Sequence, residues 1–111
     1  MASFRDLLAA AKSRITEIDT SAAADTLSAG GVSLLDVREP DEYDQGAIPG
    51  AVHIPRGHLE AQVEAKLSDK SQPVVVYCAG GYRSSIAASL LREAGFADVS
   101  DVLGGYAAIA A

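Results

Sequence analysis

The apolar positions along the chain alternate between a helical spacing and short continuous runs. Residues 4–15 carry apolar side chains at helical intervals, which predicts an amphipathic lead-in helix. Thr20 or Ser21 can cap a second helix that ends near the glycine pair at 30–31. The regular spacing of apolar side chains from 59 to 67 predicts a third helix.

Continuous apolar runs between these helices predict strands. Residues 32–37 and 51–54 form two such runs, which are separated by a short helical turn at 40–43 and a loop. Residues 74–77 form a third run, whose β-branched side chains are typical of a central parallel strand covered on both faces. Residues 96–103 predict a last short strand.

Two more helices complete the predicted alternation. Residues 84–94 follow the third strand, and Gly95 stops this helix. A small helix at 106–111 follows the glycine pair at 104–105. Strands that alternate with helices predict an α/β fold, with a small, mostly parallel central sheet flanked by helices on both faces. The face expected to be buried in the 84–94 helix comprises Ile86, Ala87, Leu90, Leu91 and Ala94.

Length and composition fit one compact domain. With 111 residues and 49% hydrophobic content, the chain has enough apolar side chains for a core without disulfides or a structural metal. It contains no internal repeat and no long linker. The sequence therefore predicts a single domain over residues 1–111, with residues 1–15 as the lead-in helix and residues 16–111 as the core.

The charge balance narrows the range of partners. Nine basic and 15 acidic residues give a formal net charge of −6, which would repel nucleic acid and anionic membranes. No apolar run approaches the roughly 18 residues of a transmembrane helix, and the N-terminal stretch lacks a secretory signal pattern. The single cysteine cannot form an intramolecular disulfide. These features predict a cytoplasmic protein that binds neither nucleic acid nor membrane, and they imply no metal or organic cofactor.

The single cysteine, Cys78, occupies a position typical of a ligand site. It directly follows the strand predicted at 74–77, and ligands of parallel α/β sheets bind beyond the carboxyl ends of the strands. The adjacent Gly80 and Gly81 allow backbone conformations that direct several N–H groups at one point. The loop after Cys78 therefore predicts an anion-binding cradle.

The helix expected to begin at Ser84 adds positive electrostatic potential to this loop. Unpaired N–H groups in the first turn of a helix favour negative charge by roughly 0.3–1 kcal/mol at exposed sites. Arg83 can direct its planar guanidinium at a bound anion and hold two oxygens. We expect these groups to keep a substantial part of Cys78 in the thiolate form at neutral pH, without help from a histidine.

Each of these residues also has a purely structural interpretation. Free cysteines are often buried as small hydrophobes, and glycine pairs occur in ordinary turns between a strand and a helix. Asp36 can cap a neighbouring segment, and Arg38 can be a solvated strand end. The acidic cluster at 39–44 is interpreted first as a solvated turn and second as a docking surface.

Several stretches, in order along the chain, resemble the rhodanese family of sulfurtransferases. LLDVREPDEYDQGAIPGAVHIP at 34–55 is similar to the family's first signature, although Ala47 stands where histidine is commoner. The loop CAGGYRS at 78–84 and the ending GFADVSDVLGGY at 95–106 also resemble the family. The similarity extends over about 18–106.

The resemblance implies a small α/β domain that moves a sulfane sulfur by ping-pong covalent catalysis. Cys78 would be the nucleophile and would carry the sulfur as a persulfide from a small donor to a thiol or cyanide acceptor. A protein could also be the acceptor. Arg83 would orient the donor, and Asp36 and Arg38 would brace the loop. The transferred sulfur would lie among the backbone amides of Ala79, Gly80, Gly81, Tyr82, Arg83 and Ser84.

The resemblance also bears on the choice of donor. Rhodanese loops suited to thiosulfate often carry arginine at the position of Ala79. Loops that read like CAGGYRS resemble those of rhodanese domains associated with persulfide metabolism. A low-molecular-weight persulfide, such as that of glutathione, is therefore expected as a donor beside thiosulfate.

Two other functions stay open. A non-catalytic relay or docking module would pass the same persulfide to a partner enzyme, and the residues do not separate it from an enzyme. Cysteine-dependent phosphatases also place a cysteine and an arginine around an anion-binding loop, but with five residues between them. Four residues separate Cys78 from Arg83, and the shorter ring suits a single sulfur better than a tetrahedral phosphate.

Overall fold

The centre of the protein is a five-stranded parallel sheet. The computed structural model describes residues 3–80 and 83–110. Its strands are β1 (Thr16–Ile18), β2 (Ser33–Asp36), β3 (Val52–His53), β4 (Val74–Tyr77) and β5 (Val99–Val102). They lie in the order β1-β5-β4-β2-β3, which places β4 at the centre, and all neighbouring pairs are parallel. This confirms the predicted α/β fold, with a wholly parallel sheet in the described residues.

Helices connect and cover these strands. They are α1 (Phe4–Ser13), α2 (Thr20–Ala29), α3 (Pro40–Asp44), α4 (Leu59–Lys66), α5 (Arg83–Glu93) and α6 (Gly105–Ile109), and a 3₁₀ turn at Arg56–His58 precedes α4. The longest, α5, has 11 residues. None of the helices in the described ranges is long and apolar enough to cross a membrane.

The alternation of side chains along β4 separates two apolar layers. Val74 and Val76 pack with side chains of α4 and α5, whereas Val75 and Tyr77 pack with side chains of α2 and α6. Because side chains alternate along a strand, the residue after β4 faces the same side as Val76. Cys78 accordingly belongs to the apolar layer under α4 and α5.

The structure corrects two details at the beginning of the sheet. The sequence analysis did not predict β1, because only one of its three residues, Ile18, has a strongly apolar side chain. The second correction is that Asp19 caps α2, rather than Thr20 or Ser21. The Asp19 carboxylate accepts a hydrogen bond of 2.8 Å from the backbone N–H of Ala22. An aspartate before the helix satisfies a first-turn donor that Thr20, already in the helix, does not reach.

The buried face of α5 differs from the predicted one. The helix begins at Arg83, Ala94 is exposed, and Ser84, Ser85 and Ser89 are buried. Buried hydroxyl groups are nearly always hydrogen-bonded, because an unpaired one loses its bonds to water. The buried serines therefore indicate that α5 covers polar groups as well as an apolar layer.

Candidate active site

Cys78 lies at the carboxyl end of the central strand. β4 ends at Tyr77, and α5 begins at Arg83 after a short loop. Cys78 is only 1% exposed, and its Sγ accepts a hydrogen bond of 3.3 Å from Ser84 Oγ. The thiol therefore faces the first turn of α5, where unpaired N–H groups and a positive dipole end favour an anion.

The loop after Cys78 is described only in part. Gly81 and Tyr82, two of the residues expected to hold the transferred sulfur, lie outside the described residues. Gly80 does not adopt a left-handed conformation, so its own backbone does not demand glycine. The ring of backbone amides around the sulfur stays a prediction.

The start of α6 packs directly against this loop. The backbone N–H of Tyr106 donates to the Cys78 carbonyl at 2.6 Å. The next N–H, of Ala107, donates to the Ala79 carbonyl at 3.1 Å. Gly105 has a φ of +59°, and a Cβ at this position would overlap the Cys78 carbonyl oxygen. Position 105 therefore requires glycine for both its conformation and its close approach.

An open cleft of about 310 Å³ lies beside the loop. Ala79, the residue that follows Cys78, forms part of its wall, so the cleft adjoins the cysteine loop. A volume of this size is sufficient for a small-molecule ligand. The cleft is lined by Arg38, Glu42, Gln45, Gly46, Ala79, Tyr106 and Ala107.

Arg83 binds a carboxylate of the protein itself. Its Nη1 and Nη2 donate to Glu42 Oε1 and Oε2 at 2.8 and 3.1 Å. The hydrogen bonds to Glu42 raise the pKa of Arg83, and those from Arg83 lower the pKa of Glu42. A negative charge on Cys78 would raise the pKa of Arg83 further. An anionic ligand that binds Arg83 must compete with Glu42.

Glu42 is a site residue that the sequence analysis placed only in the acidic cluster at 39–44. It lies in the first turn of α3, where it completes a capping box, and its Oε1 accepts a hydrogen bond of 2.9 Å from the Glu39 N–H. The capping-box spacing around Pro40 was the available signal. Nothing local identifies Arg83, which lies 41 positions later, as its partner.

Asp36 and Arg38 form a buried ion pair at the edge of the cleft. Arg38 Nε lies 3.1 Å from both carboxylate oxygens of Asp36, and Nη2 donates to Oδ2 at 2.8 Å. The two side chains are 0% and 4% exposed, so Arg38 is not a solvated strand end. Hydrogen bonding to Asp36 raises the pKa of Arg38.

Arg38 also connects the segments that line the cleft. Its Nη2 donates to the Gly46 carbonyl at 2.7 Å, and its guanidinium carbon lies 4.0 Å from the centre of the Tyr106 ring. The carbonyl oxygen of Arg38 is 2.8 Å from His53 Nε2. Arg38 Nη1 also donates to the Glu42 carbonyl at 3.3 Å, so Arg38 holds in place the wall of the cleft that carries Glu42.

Comparison with known sequences identifies a family and two relatives. Residues 19–111 match the family model described as Rhodanese-like domain. The chain is 34% identical over 109 residues to thiosulfate sulfurtransferase 16, chloroplastic, of Arabidopsis thaliana, with 89% of this chain and 91% of that protein covered. It is 38% identical over 74 residues to YrkF of Bacillus subtilis (strain 168), which is named provisionally as a sulfur carrier protein. That match covers 67% of this chain, which spans only 39% of YrkF.

Comparison with solved structures identifies a third relative. The fold is similar to that of RPA3614 from Rhodopseudomonas palustris CGA009, with a TM-score of 0.87 and 29% sequence identity. The match covers 99% of this chain and 90% of RPA3614, a protein of unknown function whose description raises tyrosine phosphatase as a possibility. The three relatives are thus named as a sulfurtransferase, provisionally as a sulfur carrier, and as a protein of unknown function with tyrosine phosphatase raised as a possibility.

Proposed function

Because the chain belongs to the rhodanese-like domain family, we propose that it is a sulfurtransferase that carries sulfur on Cys78. The observation that supports this most directly is the place of Cys78 at the end of the central strand, with the Ser84 hydroxyl donating to its sulfur. A hydrogen-bond donor and a helix N-terminus both stabilise a thiolate. The thiolate is the nucleophilic form of cysteine.

Sulfur transfer then proceeds in two displacements. The Cys78 thiolate attacks the outer sulfur of the donor, so that an S–S bond forms on Cys78 while the S–S bond of the donor breaks. Sulfite leaves if the donor is thiosulfate, and a thiolate leaves if it is a low-molecular-weight persulfide. A thiol or cyanide acceptor then takes the outer sulfur from the Cys78 persulfide and regenerates the thiolate.

The burial of Cys78 restricts how a donor reaches it. At 1% exposure, the thiol is best reached by a donor that approaches end-on with a single sulfur atom. The adjoining cleft provides room for the rest of the donor. In this proposal the transferred sulfur rests on the backbone amides of Ala79, Gly80, Gly81, Tyr82, Arg83 and Ser84.

The supporting residues of the proposed site lie around the cleft. The buried pair of Asp36 and Arg38 positions the segment that carries Glu42.

Residues 16–111 are the proposed catalytic core, and α1 packs on α5 as a lead-in helix. A cytoplasmic location stays a prediction from the sequence.

The pair of Glu42 and Arg83 favours a persulfide donor over thiosulfate. Thiosulfate is a dianion, and it must approach the carboxylate of Glu42, which is ionised at neutral pH and whose pKa Arg83 lowers further. Ala79 supplies no compensating positive charge. A persulfide such as that of glutathione carries one negative charge, not two, at its reacting end. We therefore assign a low-molecular-weight persulfide as the preferred donor.

Glu42→Gln is expected to increase the use of thiosulfate. Without the carboxylate, the Arg83 guanidinium is free to bind the oxygens of thiosulfate. A hydrogen bond between these charged groups is strong enough to increase kcat/KM for thiosulfate by about tenfold. The use of glutathione persulfide should change much less. Persulfide formation on Cys78, followed by intact mass in single-turnover mixtures, measures both donors.

Asp41→Asn is the matched control for this variant. Asp41 is an exposed acid on the same helix, so its loss removes one negative charge without freeing Arg83. An equal gain in Asp41→Asn would attribute the effect to net charge alone. Unchanged use of thiosulfate in Glu42→Gln would contradict the competition between donor and Glu42.

Intact mass also tests the proposed function itself. After exposure to glutathione persulfide or thiosulfate, the native chain should gain one sulfur atom and lose it again to cyanide or a thiol. A folded chain that gains no sulfur from either donor contradicts the proposal.

A persulfide relay is the second candidate function, since Cys78 is buried and one relative is named as a sulfur carrier. The relay and the enzyme share the same persulfide but differ in its acceptor. Rapid turnover with small thiols favours the enzyme, whereas saturation only with a protein acceptor favours the relay.

A phosphatase is not favoured, because the spacing of Cys78 and Arg83 is one residue short of the phosphatase pattern. We expect no hydrolysis of aryl phosphates.

A further inference from the structure

A buried carboxyl group lies on the strand next to Cys78. Asp101 belongs to β5, and the parallel pairing with β4 places it opposite Val76. Asp101 is 2% exposed, and its Oδ2 accepts a hydrogen bond of 2.8 Å from Ser85 Oγ. Its Oδ1 is also buried but is not hydrogen-bonded to any residue in the described ranges. A buried carboxyl oxygen without a donor is costly when the group is ionised, so it favours the protonated form of Asp101.

Ser84 lies between this carboxyl group and the sulfur of Cys78. Its hydroxyl donates to Cys78 Sγ at 3.3 Å. The same hydroxyl lies close enough to Asp101 to lower the pKa of the carboxyl group. A hydroxyl can accept one proton while it donates another. Ser84 is therefore placed to pass a proton between the thiol and the carboxyl group.

The surroundings of Asp101 raise its pKa above the ordinary value. Burial is the largest cause, and the negative charge of Glu17 on β1 acts in the same direction. The hydroxyls of Ser84 and Ser85 and the positive charge of Lys12 on α1 act in the opposite direction. A carboxyl group with a raised pKa is a better proton acceptor near neutral pH than an exposed aspartate.

We propose that Asp101 accepts the proton of the Cys78 thiol through Ser84. The inference rests on the proposed role of Cys78 as nucleophile. When the S–H bond of Cys78 breaks, the proton joins Ser84 Oγ, and the original hydroxyl proton of Ser84 moves to the carboxylate of Asp101. The electron pair of the broken bond stays on sulfur, and no proton enters or leaves the protein. Afterwards Ser84 donates to the thiolate, which is the hydrogen bond observed.

The burial of both groups explains why an internal acceptor is useful. Bulk water has little access to a thiol that is 1% exposed, so it is a poor acceptor for this proton. Transfer to Asp101 leaves one negative charge in the buried pair both before and after the step, which avoids the cost of a second buried charge. It also removes the negative charge from a carboxyl group whose Oδ1 has no hydrogen-bond donor in the described ranges.

The rate of alkylation of Cys78 tests this proposal. The chain contains one cysteine, so iodoacetamide reports on this thiol alone. The reaction needs no sulfur donor, and it therefore gives a result even if the proposed sulfur transfer fails.

Asp101→Asn keeps the shape of the side chain but removes the proton acceptor. At pH 7 the alkylation of this variant is expected to be about tenfold slower. This factor corresponds to a proton-transfer equilibrium that is less favourable by about 1.4 kcal/mol. The midpoint of the rate–pH profile should move to higher pH. If the carboxylate merely repelled the thiolate, the variant would react faster. A faster or unchanged rate overturns the proposal.

Two further variants separate the relay from a general effect on the fold. Ser84→Ala should slow alkylation to a similar extent, and the double variant with Asp101→Asn should be no slower than either single variant. Additive losses would overturn the relay. Asp98→Asn changes an exposed acid near the same strand and is the matched control, so it should keep the native profile.

The native chain and Cys78→Ser provide the test if Asp101→Asn does not fold. Carbon-13 NMR follows the titration of the Asp101 carboxyl group in each protein. Because serine does not release a proton in this pH range, the midpoint for Asp101 should differ between the two proteins. Identical titrations of Asp101 overturn the proposal.

Discussion

Cys78→Ser is expected to reduce sulfur transfer to the rate measured without protein. A serine hydroxyl is not ionised at neutral pH, so it cannot attack the outer sulfur of a donor as a thiolate does. No other side chain can replace Cys78, which is the only cysteine in the chain. Thiocyanate formed from thiosulfate and cyanide measures the loss of turnover. Intact mass should show no added sulfur with either donor.

The serine variant should remain folded. Ser84 can donate to the new hydroxyl as it donates to the sulfur, although the shorter side chain weakens this hydrogen bond. Urea unfolding should show a loss of at most about 1–3 kcal/mol, the range for a poorly satisfied buried polar group. Sulfur transfer by the folded serine variant at the native rate would remove Cys78 from the mechanism.

Asp36→Ala is expected to lower the free energy of unfolding by about 3–5 kcal/mol. The substitution leaves the guanidinium of Arg38, which is 4% exposed, without its counter-charge. Removal of one partner of a buried pair is costly because the remaining charge is neither hydrated nor neutralised. Urea denaturation followed by circular dichroism measures the loss. The expected effect is a large part of the roughly 5–15 kcal/mol that stabilises a typical domain.

Two comparisons distinguish a buried ion pair from an exposed one. In Asp36→Ala/Arg38→Met both charges are absent, so the loss should be smaller than in Asp36→Ala. Glu93→Ala breaks an ion pair with Arg14 whose distance is 2.7 Å but whose side chains are more than half exposed. That loss should be about 1 kcal/mol or less. Equal losses in Asp36→Ala and Glu93→Ala would mean that burial of the first pair adds nothing to its effect.

The fold follows from the sequence where the local pattern is strong. The apolar run at 74–77 predicts a central strand covered on both faces, and β4 has this position and burial. β1 escapes such an analysis because its residues carry little local preference for a strand. Its pairing with β5, near the other end of the described chain, stabilises it instead. Contacts of this kind depend on the assembled sheet.

The same distinction applies to the candidate site. The place of Cys78 between a strand and a helix is a local feature, so the sequence indicates it directly. The partners of the neighbouring polar groups are not local. Glu42 reaches Arg83 across 41 positions, and Asp101 binds Ser85 across 16. Besides the capping-box spacing around Pro40, the serines of α5 were a local signal of such partners, since a purely apolar helix would not need them.

The contact between α6 and the Cys78 loop also sets an order of events during synthesis. Because the chain is made from its N-terminus, Cys78 is synthesised well before the residues of α6. Until Tyr106 and Ala107 arrive, the carbonyl groups of Cys78 and Ala79 lack the donors that hold the loop in the finished protein. A nascent chain therefore presents its thiol in an incomplete pocket. The backbone contacts that complete the pocket form only after the last helix has been made.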